Sequence, residues 1–274
     1  MSKECIGKWL NAPIKEKKKY KYSLYRITKK ADKTTTLIKD LQKDLLYSYR
    51  EKKFLKSNIF TLSERKIRKY INGIIPKDST SITDNVRTGD FGEVLVKLIV
   101  SFFYGYKAYN KLKFKFNKDR SVFATDLVAF DDVNDPHSIY YYEIKTRKTL
   151  NKENGFYITE IAYNSLEKDD DNCVQPILDF MAQRFSESKK KELSIKYSEL
   201  ALNRKKVKSN YEIFVLTNDI NENKISKICK ALDNMNLKLK PLTLTLVLVP
   251  ELYSIRDEVW NTICDRAVEL SENV

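Results

Sequence analysis

The sequence of 274 residues contains only one histidine, His137. Ser-His-Asp triads, two-histidine zinc sites and nucleases that bind their metal through histidine all need this residue at particular places. His137 instead follows a proline in a stretch typical of a turn. The four cysteines are far apart and none belongs to a C-x-x-C pair, so neither a zinc ribbon nor a disulfide framework is indicated. The sequence therefore excludes chemistry that depends on histidine clusters or paired cysteines.

Long apolar runs and phosphate-binding loops are also missing. The most apolar stretches are Val94–Phe103, which Lys97 interrupts, and Leu242–Val249, and both are far shorter than the roughly 20 residues of a membrane span. Met1–Lys19 lacks the apolar core of a secretory signal. No G-x-x-x-x-G-K-[ST] motif occurs, so we expect no nucleotide cofactor of its own. With 42% apolar residues, the chain should be a folded, soluble, cytoplasmic protein that does not contact membranes.

Positive charge is concentrated in the first quarter of the chain. The sequence has 51 Lys and Arg against 37 Asp and Glu, a formal charge of +14. Residues 1–70 hold 21 basic and 7 acidic residues, whereas residues 71–274 hold 30 of each. Such a surface suits a polyanion, and the alternative is a set of solvated helix faces. Tyr20, Tyr22 and Tyr25 alternate with lysines, as in a groove for nucleic-acid backbone or in a strand with inward tyrosines.

The hydrophobic pattern predicts two regions. Residues 1–85 form a basic region for DNA or a partner, with a helix marked by Leu37, Leu41, Leu45 and Tyr49 at period four, a second one capped by Ser63, and a polar joint over 74–85. Residues 86–274 form a mixed α/β sheet domain. Its predicted elements are helix Asp90–Tyr104, strands Lys111–Asn117, Ser121–Phe130 and Ile139–Thr146, a helical region Thr159–Phe185 broken at Asp169–Asp171, strand Tyr211–Thr217, helix Glu222–Asn234, strand Leu242–Val249 and helix Ser254–Leu270.

Asp126 is the first candidate for chemistry, because it interrupts an otherwise apolar strand face. A buried carboxylate must be paired, protonated or bound to a metal. The next predicted strand places Glu143 and Lys145 on one face, and a hairpin would bring Glu143 beside Asp126. Acid-x-Lys triplets occur six times in the sequence, about as often as chance predicts, so the specificity lies in the strand context. The alternative is a buried ion pair in the sheet core.

Glu93 adds a third acid on the preceding helix, unless it forms an i,i+4 pair with Lys97. Carboxylate oxygens suit Mg²⁺ or Mn²⁺, which also accept phosphate oxygens. Such a metal would activate water for attack on phosphorus, and Lys145 would help activate that water or stabilise the developing charge. The set therefore predicts phosphodiester hydrolysis without histidine, with Glu93, Asp126, Glu143 and Lys145 as catalytic residues.

The motifs and their order resemble the PD-(D/E)XK nuclease superfamily, whose restriction-endonuclease-like core runs helix, three strands, helix, strand. The resemblance covers roughly Arg87–Thr217, where Glu93 matches the helix acid, Asp126 the strand acid, and Glu143 and Lys145 the (D/E)XK element. Threonine replaces the proline of the superfamily name. The resemblance implies metal ligation by Asp126, Glu143 and the backbone carbonyl of Ile144.

A narrower resemblance is to the HamA family of Hachiman antiphage defence. It lies in the basic N-terminal region, the GEVL helix (Gly92–Leu95), the KLKFK strand (Lys111–Lys115) and the segments ATDLVAF and YYEIKT. The resemblance implies a DNA-degrading effector controlled by a helicase-like partner, as a heterodimer. A non-catalytic nucleic-acid-binding scaffold and a restriction endonuclease of a restriction-modification system remain alternatives.

Four cations near the predicted site could bind phosphates. Lys113 and Lys115 flank the predicted hairpin, and Arg147 and Lys148 follow the strand that carries Lys145. Contacts of this kind position DNA without reading its bases. We therefore expect little sequence specificity.

Overall fold

The computed structural model describes residues 2–77, 80–110, 112, 125–203 and 207–272. Its strands form one seven-stranded mixed sheet. They are β1 (Ile14–Lys15), β2 (Ser23–Thr28), β3 (Lys107–Asn110), β4 (Leu127–Phe130), β5 (Ser138–Arg147), β6 (Lys208–Thr217) and β7 (Leu242–Leu248). The order across the sheet is β1-β2-β7-β6-β5-β4-β3. Strands β2, β7, β6 and β5 are parallel, and antiparallel strands flank them on both sides. The predicted mixed α/β fold is confirmed.

Helices cover both faces of this sheet. They are α1 (Ser2–Trp9), α2 (Thr35–Tyr49), α3 (Lys52–Phe54), α4 (Glu64–Ile74), α5 (Ser81–Ile99), α6 (Ile158–Glu187), α7 (Lys191–Leu202), α8 (Glu222–Asn234), α9 (Leu252–Asn261) and α10 (Ile263–Ser271). Two π-helical turns, Leu55–Ile59 and Val100–Tyr104, extend α3 and α5. No helix in the described part of the chain is long and apolar enough to cross a bilayer.

Alternating side chains of the strands divide the core into two apolar layers. Tyr142, Ile144 and Phe214 belong to the layer under α1, α2, α4, α5, α9 and α10. Tyr141 and Ile213 belong to the other layer, under α6, α7 and α8. This alternation follows from the period of two in a strand, and it decides which helices the side chains of each strand meet.

The basic N-terminal region packs as part of the same core. Strand β2 pairs in parallel with β7, from Ser23 opposite Thr243 to Thr28 opposite Leu248. The period-four face of α2 is buried as expected, with Leu41 and Leu45 each 1% exposed. Tyr22 is also buried and its hydroxyl donates to the Cys229 carbonyl oxygen at 2.8 Å, so this tyrosine packs inward. Whether the region 1–85 binds DNA or a partner stays a prediction.

The structure describes only part of the two strands predicted around Asp126. The stretch Lys111–Asn117 lies outside the described residues apart from Leu112. The edge strand β3, at Lys107–Asn110, pairs with β4 on the side away from β5. Of the predicted strand Ser121–Phe130, only Leu127–Phe130 is a strand in the described part. Strand β3, at Lys107–Asn110, was not among the predicted strands, and its pairing with β4 makes it extended.

Helix boundaries also differ from the predictions where tertiary contacts outweigh local composition. The expected joint 74–85 is shorter, since α5 begins at Ser81, capped by reciprocal hydrogen bonds between Thr80 and Thr83. Helix α6 runs unbroken through Asp169–Asp171, because both of its halves bury apolar side chains and aspartate disfavours helix only weakly. The expected C-terminal helix is divided at Thr262 into α9 and α10.

One acidic side chain of the sheet is surrounded by tyrosines. Glu212 on β6 lies beside Tyr142 of β5 in the sheet, and its charge acts on the hydroxyls of Tyr104, Tyr106 and Tyr142. Burial raises the pKa of Glu212 to about 8. No hydrogen bond or ion pair to its carboxylate occurs among the described residues. Glu212 is thus a carboxyl group that folding favours in its neutral form.

This burial predicts a pH-dependent contribution to stability. Because the folded pKa lies above the unfolded one, the folded state holds a proton that the unfolded state loses, so the free energy of unfolding falls as pH rises from about 4.5 to 8. We expect Glu212→Gln to be more stable than the wild type by on the order of 2 kcal/mol at pH 9 and about equally stable at pH 4. Urea unfolding at both pH values measures this. Glu199→Gln, an exposed change on α7, should show no such difference.

Candidate active site

The end of β4 brings Asp126 next to Glu143. Leu127 pairs with Tyr142 in the antiparallel register, and the Asp126 N–H donates to the Tyr142 carbonyl oxygen at 3.2 Å. Continuing this register by one residue places Asp126 directly opposite Glu143. Directly opposite side chains lie on the same face of a sheet, with Cβ atoms about 5 Å apart.

Hydrogen bonds hold both carboxylates in place. The Ile144 N–H donates to Asp126 Oδ2 at 2.8 Å, and Lys145 Nζ donates to Glu143 Oε1 at 2.5 Å. The Glu143 side chain is 3% exposed and that of Lys145 is 21% exposed. Two acids and one ammonium therefore converge at one place, where Glu143 is buried and Asp126 and Lys145 are half-buried.

The electrostatics of the group reflect its burial. Burial, followed by the nearby charge of Asp126, raises the pKa of Glu143 to about 7, while Lys145 and a hydrogen bond from Ser165 of α6 act in the opposite direction. The alternative of an ion pair in the sheet core also has support, since the Glu143–Lys145 pair is present. That pair alone does not explain why a second carboxylate is held opposite Glu143, where like charges repel.

A divalent cation fits this donor set. Hard cations such as Mg²⁺ take carboxylate and carbonyl oxygens and keep several waters, and a cation here would offset the repulsion between Asp126 and Glu143. The described residues contain no group of three or more His, Cys, Asp or Glu side chains arranged to hold a metal. The protein ligands on offer are thus the two carboxylates, with the Ile144 carbonyl as the third ligand that the resemblance implies.

Glu93 lies on the other side of the sheet. Gly92 of α5 packs against Ile144 and Thr146, whose side chains point away from Glu143 and Lys145 because the strand alternates. The charge of Glu93, which is 6% exposed, acts on the buried hydroxyl of Tyr49. The structure therefore unites Asp126, Glu143 and Lys145 and places Glu93 behind them, against α2.

The structure describes two of the four predicted DNA-contacting cations. Lys113 and Lys115 lie outside the described residues. The Arg147 guanidinium pairs with Glu153, with Nη2 3.1 Å from Oε2, and Lys148 is exposed. Both follow Lys145 closely, so they lie at the end of β5 near the carboxylates.

Two polar residues, one at the site and one on the opposite face of the sheet, were not among the sequence predictions. Ser165 of α6 hydrogen-bonds to Glu143, and nothing in its local pattern distinguishes it from other helix serines. Asp90 of α5, 3% exposed, accepts a short hydrogen bond from the Tyr49 hydroxyl. Asp90 could have been found by the argument that selected Glu93, since it too is an acid within an apolar helix.

The HamA family model matches residues 3–259, which is nearly the whole chain and includes every candidate site residue. A search of curated proteins finds no significant match.

Proposed function

The chain belongs to the HamA family, and we propose from this membership and from the site geometry that it is a metal-dependent deoxyribonuclease of Hachiman antiphage defence. The observation that carries the proposal is the arrangement of Asp126 opposite Glu143, with Lys145 donating to Glu143 at 2.5 Å. A protein that only binds phosphates gains nothing from a buried Glu143 and a half-buried Asp126 held opposite each other, since both carboxylates repel phosphate.

Each residue has a role in phosphodiester hydrolysis. Asp126, oriented by the Ile144 N–H, and Glu143, oriented by Lys145 and Ser165, present fixed oxygens to the substrate phosphate site. When bound there, Mg²⁺ or Mn²⁺ supplies Lewis-acid chemistry that polarises a phosphate oxygen and acidifies water. Lys145 Nζ lies 2.5 Å from Glu143 Oε1, and its ammonium stabilises the negative charge that develops on the phosphate.

Phosphate contacts around the site would hold the DNA without reading its sequence. Arg147 lies at the end of β5 and Lys148 follows it, and we propose that both contact phosphates of the DNA. We propose the same role for Lys113 and Lys115. A second basic surface lies on the N-terminal region, where Lys240 and five further lysines line one depression; the five are Lys15, Lys17, Lys18, Lys19 and Lys21. We extend the proposal to a helicase-like partner, on the ground of family membership alone.

A non-catalytic scaffold is the second candidate. The observation that favours it is the Glu143–Lys145 ion pair, which satisfies both charges within one strand. A scaffold would bind DNA and the partner but leave DNA intact under all metal conditions.

Metal dependence of DNA cleavage tests the proposal. We expect the protein, alone or with the helicase-like partner, to nick or linearise supercoiled plasmid in Mg²⁺ or Mn²⁺, because Asp126 and Glu143 need a cation between them and the phosphate. A chelator should stop cleavage and added metal restore it, at similar rates on plasmids of unrelated sequence. Intact plasmid under every one of these conditions, with binding retained, would favour the scaffold.

A further inference from the structure

A cavity of about 340 Å³ lies beside the edge strand β3, within the size range of sites for small molecules. Helices α2, α5 and α6, strand β3 and the turn between α6 and α7 supply its walls. It is separate from the Asp126–Glu143 group, since none of the lining side chains belongs to β4 or β5.

The described residues that line this cavity include four cations and no acid. Lys97, Lys107, Arg184 and Lys190 line it. Arg184 pairs with Glu51, with Nη2 2.8 Å from Oε1, but Glu51 lies outside the lining and its side chain is 60% exposed. A solvated pair of this kind is weak, so the cavity keeps a net positive charge that favours an anionic ligand.

Aromatic rings form most of the remaining lining of the cavity, together with Ala108 and Ser188. Tyr47, Tyr109, Phe180 and Phe185 contribute to its lining. Tyr109 is held edge-on against Phe130 with ring centroids 6.1 Å apart, so its ring has a fixed orientation. Nucleic-acid bases stack on aromatic rings of this kind whichever base is present, because every base has a π face.

The combination of cations and rings selects the ligand class. A simple anion such as phosphate would gain nothing from four rings, and an apolar ligand would gain nothing from four cations. We propose that the cavity binds a nucleotide, with its phosphate against Arg184, Lys107 and Lys190 and its base against Tyr109. The nucleotide is either free or one unit of a nucleic-acid strand.

The position of the cavity suits a strand that also reaches the carboxylates. Tyr109 of β3 pairs with Val128 of β4, and Val128 is two residues from Asp126. The Cα atoms of Tyr109 and Asp126 are therefore roughly 8 Å apart. The proposal that the nucleotide belongs to a DNA strand rests on the proposed nuclease function, whereas the proposal that the cavity binds a nucleotide does not. The cavity would then hold a nucleotide near the cleaved bond.

Binding measurements in a chelator test the proposal without interference from cleavage. The probes are dAMP, inorganic phosphate and a fluorescent oligothymidylate of about 12 nucleotides. We expect Arg184→Gln and Lys107→Gln each to weaken binding about tenfold, since each removes a charge-assisted contact. Tyr109→Leu should weaken binding of dAMP or of the strand by a similar factor. Lys227→Gln, the same loss of charge at an exposed position of α8, should change binding less than twofold. Thermal unfolding confirms that the variants are folded.

The results distinguish the two sources. Comparable affinity for dAMP and the oligonucleotide assigns a free nucleotide, whereas binding of the oligonucleotide alone assigns a nucleotide within a strand. The proposal is overturned if neither probe binds, if phosphate competes as well as dAMP, or if the cavity variants bind like Lys227→Gln. Repeating the binding measurement with Asp126→Asn separates this inference from the nuclease proposal. If the wild-type protein fails to cleave plasmid, the nuclease proposal fails but nucleotide binding by the cavity can still stand. If the cavity variants bind as well as the wild type, the cavity proposal fails but the cleavage result still stands.

Discussion

Asp126→Asn should reduce DNA cleavage about a thousandfold while leaving the fold intact. The amide keeps an oxygen that can accept the Ile144 N–H, now bonded at 2.8 Å, so the local structure should persist. The lost charge removes a carboxylate ligand from the proposed cation site, and stabilisation of developing charge is usually the largest single contribution to catalysis. Initial rates of plasmid cleavage in Mg²⁺, with thermal unfolding as the check on folding, measure the effect.

A matched control separates this loss from a general effect of charge. Asp265→Asn makes the same chemical change at a side chain of α10 that is 56% exposed and pairs with Arg68. It should cleave DNA at the wild-type rate. Undiminished cleavage by Asp126→Asn would show that the carboxylate is structural, and equal losses in both variants would show that net charge governs the reaction.

Lys145→Ala extends the same experiment to the proposed cation. Its loss should cost about a hundredfold in cleavage and leave Glu143 buried without its partner, so some stability should be lost as well. Lys148→Ala removes an exposed cation three residues further on and should affect cleavage far less. Wild-type activity in Lys145→Ala would assign the Glu143–Lys145 pair to stability alone.

The convergence of Asp126, Glu143 and Lys145 could be predicted because it depends on local rules. Two successive strands joined by a short turn are antiparallel neighbours, and side chains at period two share a face. Those rules place Glu143 beside Asp126 and Lys145 beside Glu143 without any knowledge of the rest of the molecule. Ser165 escaped notice because a contact from a helix some twenty residues away depends on how that helix lies across the sheet.

The charge of the basic N-terminal region did not predict how the region packs against the rest of the chain. Its lysines set it apart from the neutral remainder, but packing depends on its apolar residues, and Leu24 and Ile27 of β2 are buried in the same sheet as β7. Pairing between strands far apart in sequence leaves no local signal. Removing residues 1–70 would therefore unfold the sheet, so the DNA-binding role of this region has to be tested with substitutions at exposed lysines.

Gly92→Ala should destabilise the protein by about 3 kcal/mol, although alanine normally favours a helix. A Cβ atom at position 92 would lie 2.2 Å from Thr146 Oγ1, with Ile144 Cγ2 at 3.4 Å, so α5 would have to move away from β5 or distort Thr146. Overpacking of a buried contact costs this much or somewhat less. Cleavage should fall too, because β5 carries Glu143 and Lys145. Urea unfolding and plasmid cleavage measure the two effects.

Gly89→Ala is the matched control, since it makes the same substitution one turn earlier in α5 at a position with nothing within 4 Å of the added Cβ. It should stabilise the protein by about 0.5 to 1 kcal/mol through the lower entropy of the unfolded chain. Thr146→Ala should rescue much of the loss in Gly92→Ala, because it removes the oxygen that the new methyl group meets, and a double-mutant cycle isolates this coupling. If Gly92→Ala is as stable as Gly89→Ala, Thr146 turns aside freely and the close approach of α5 to β5 does not position the catalytic strand.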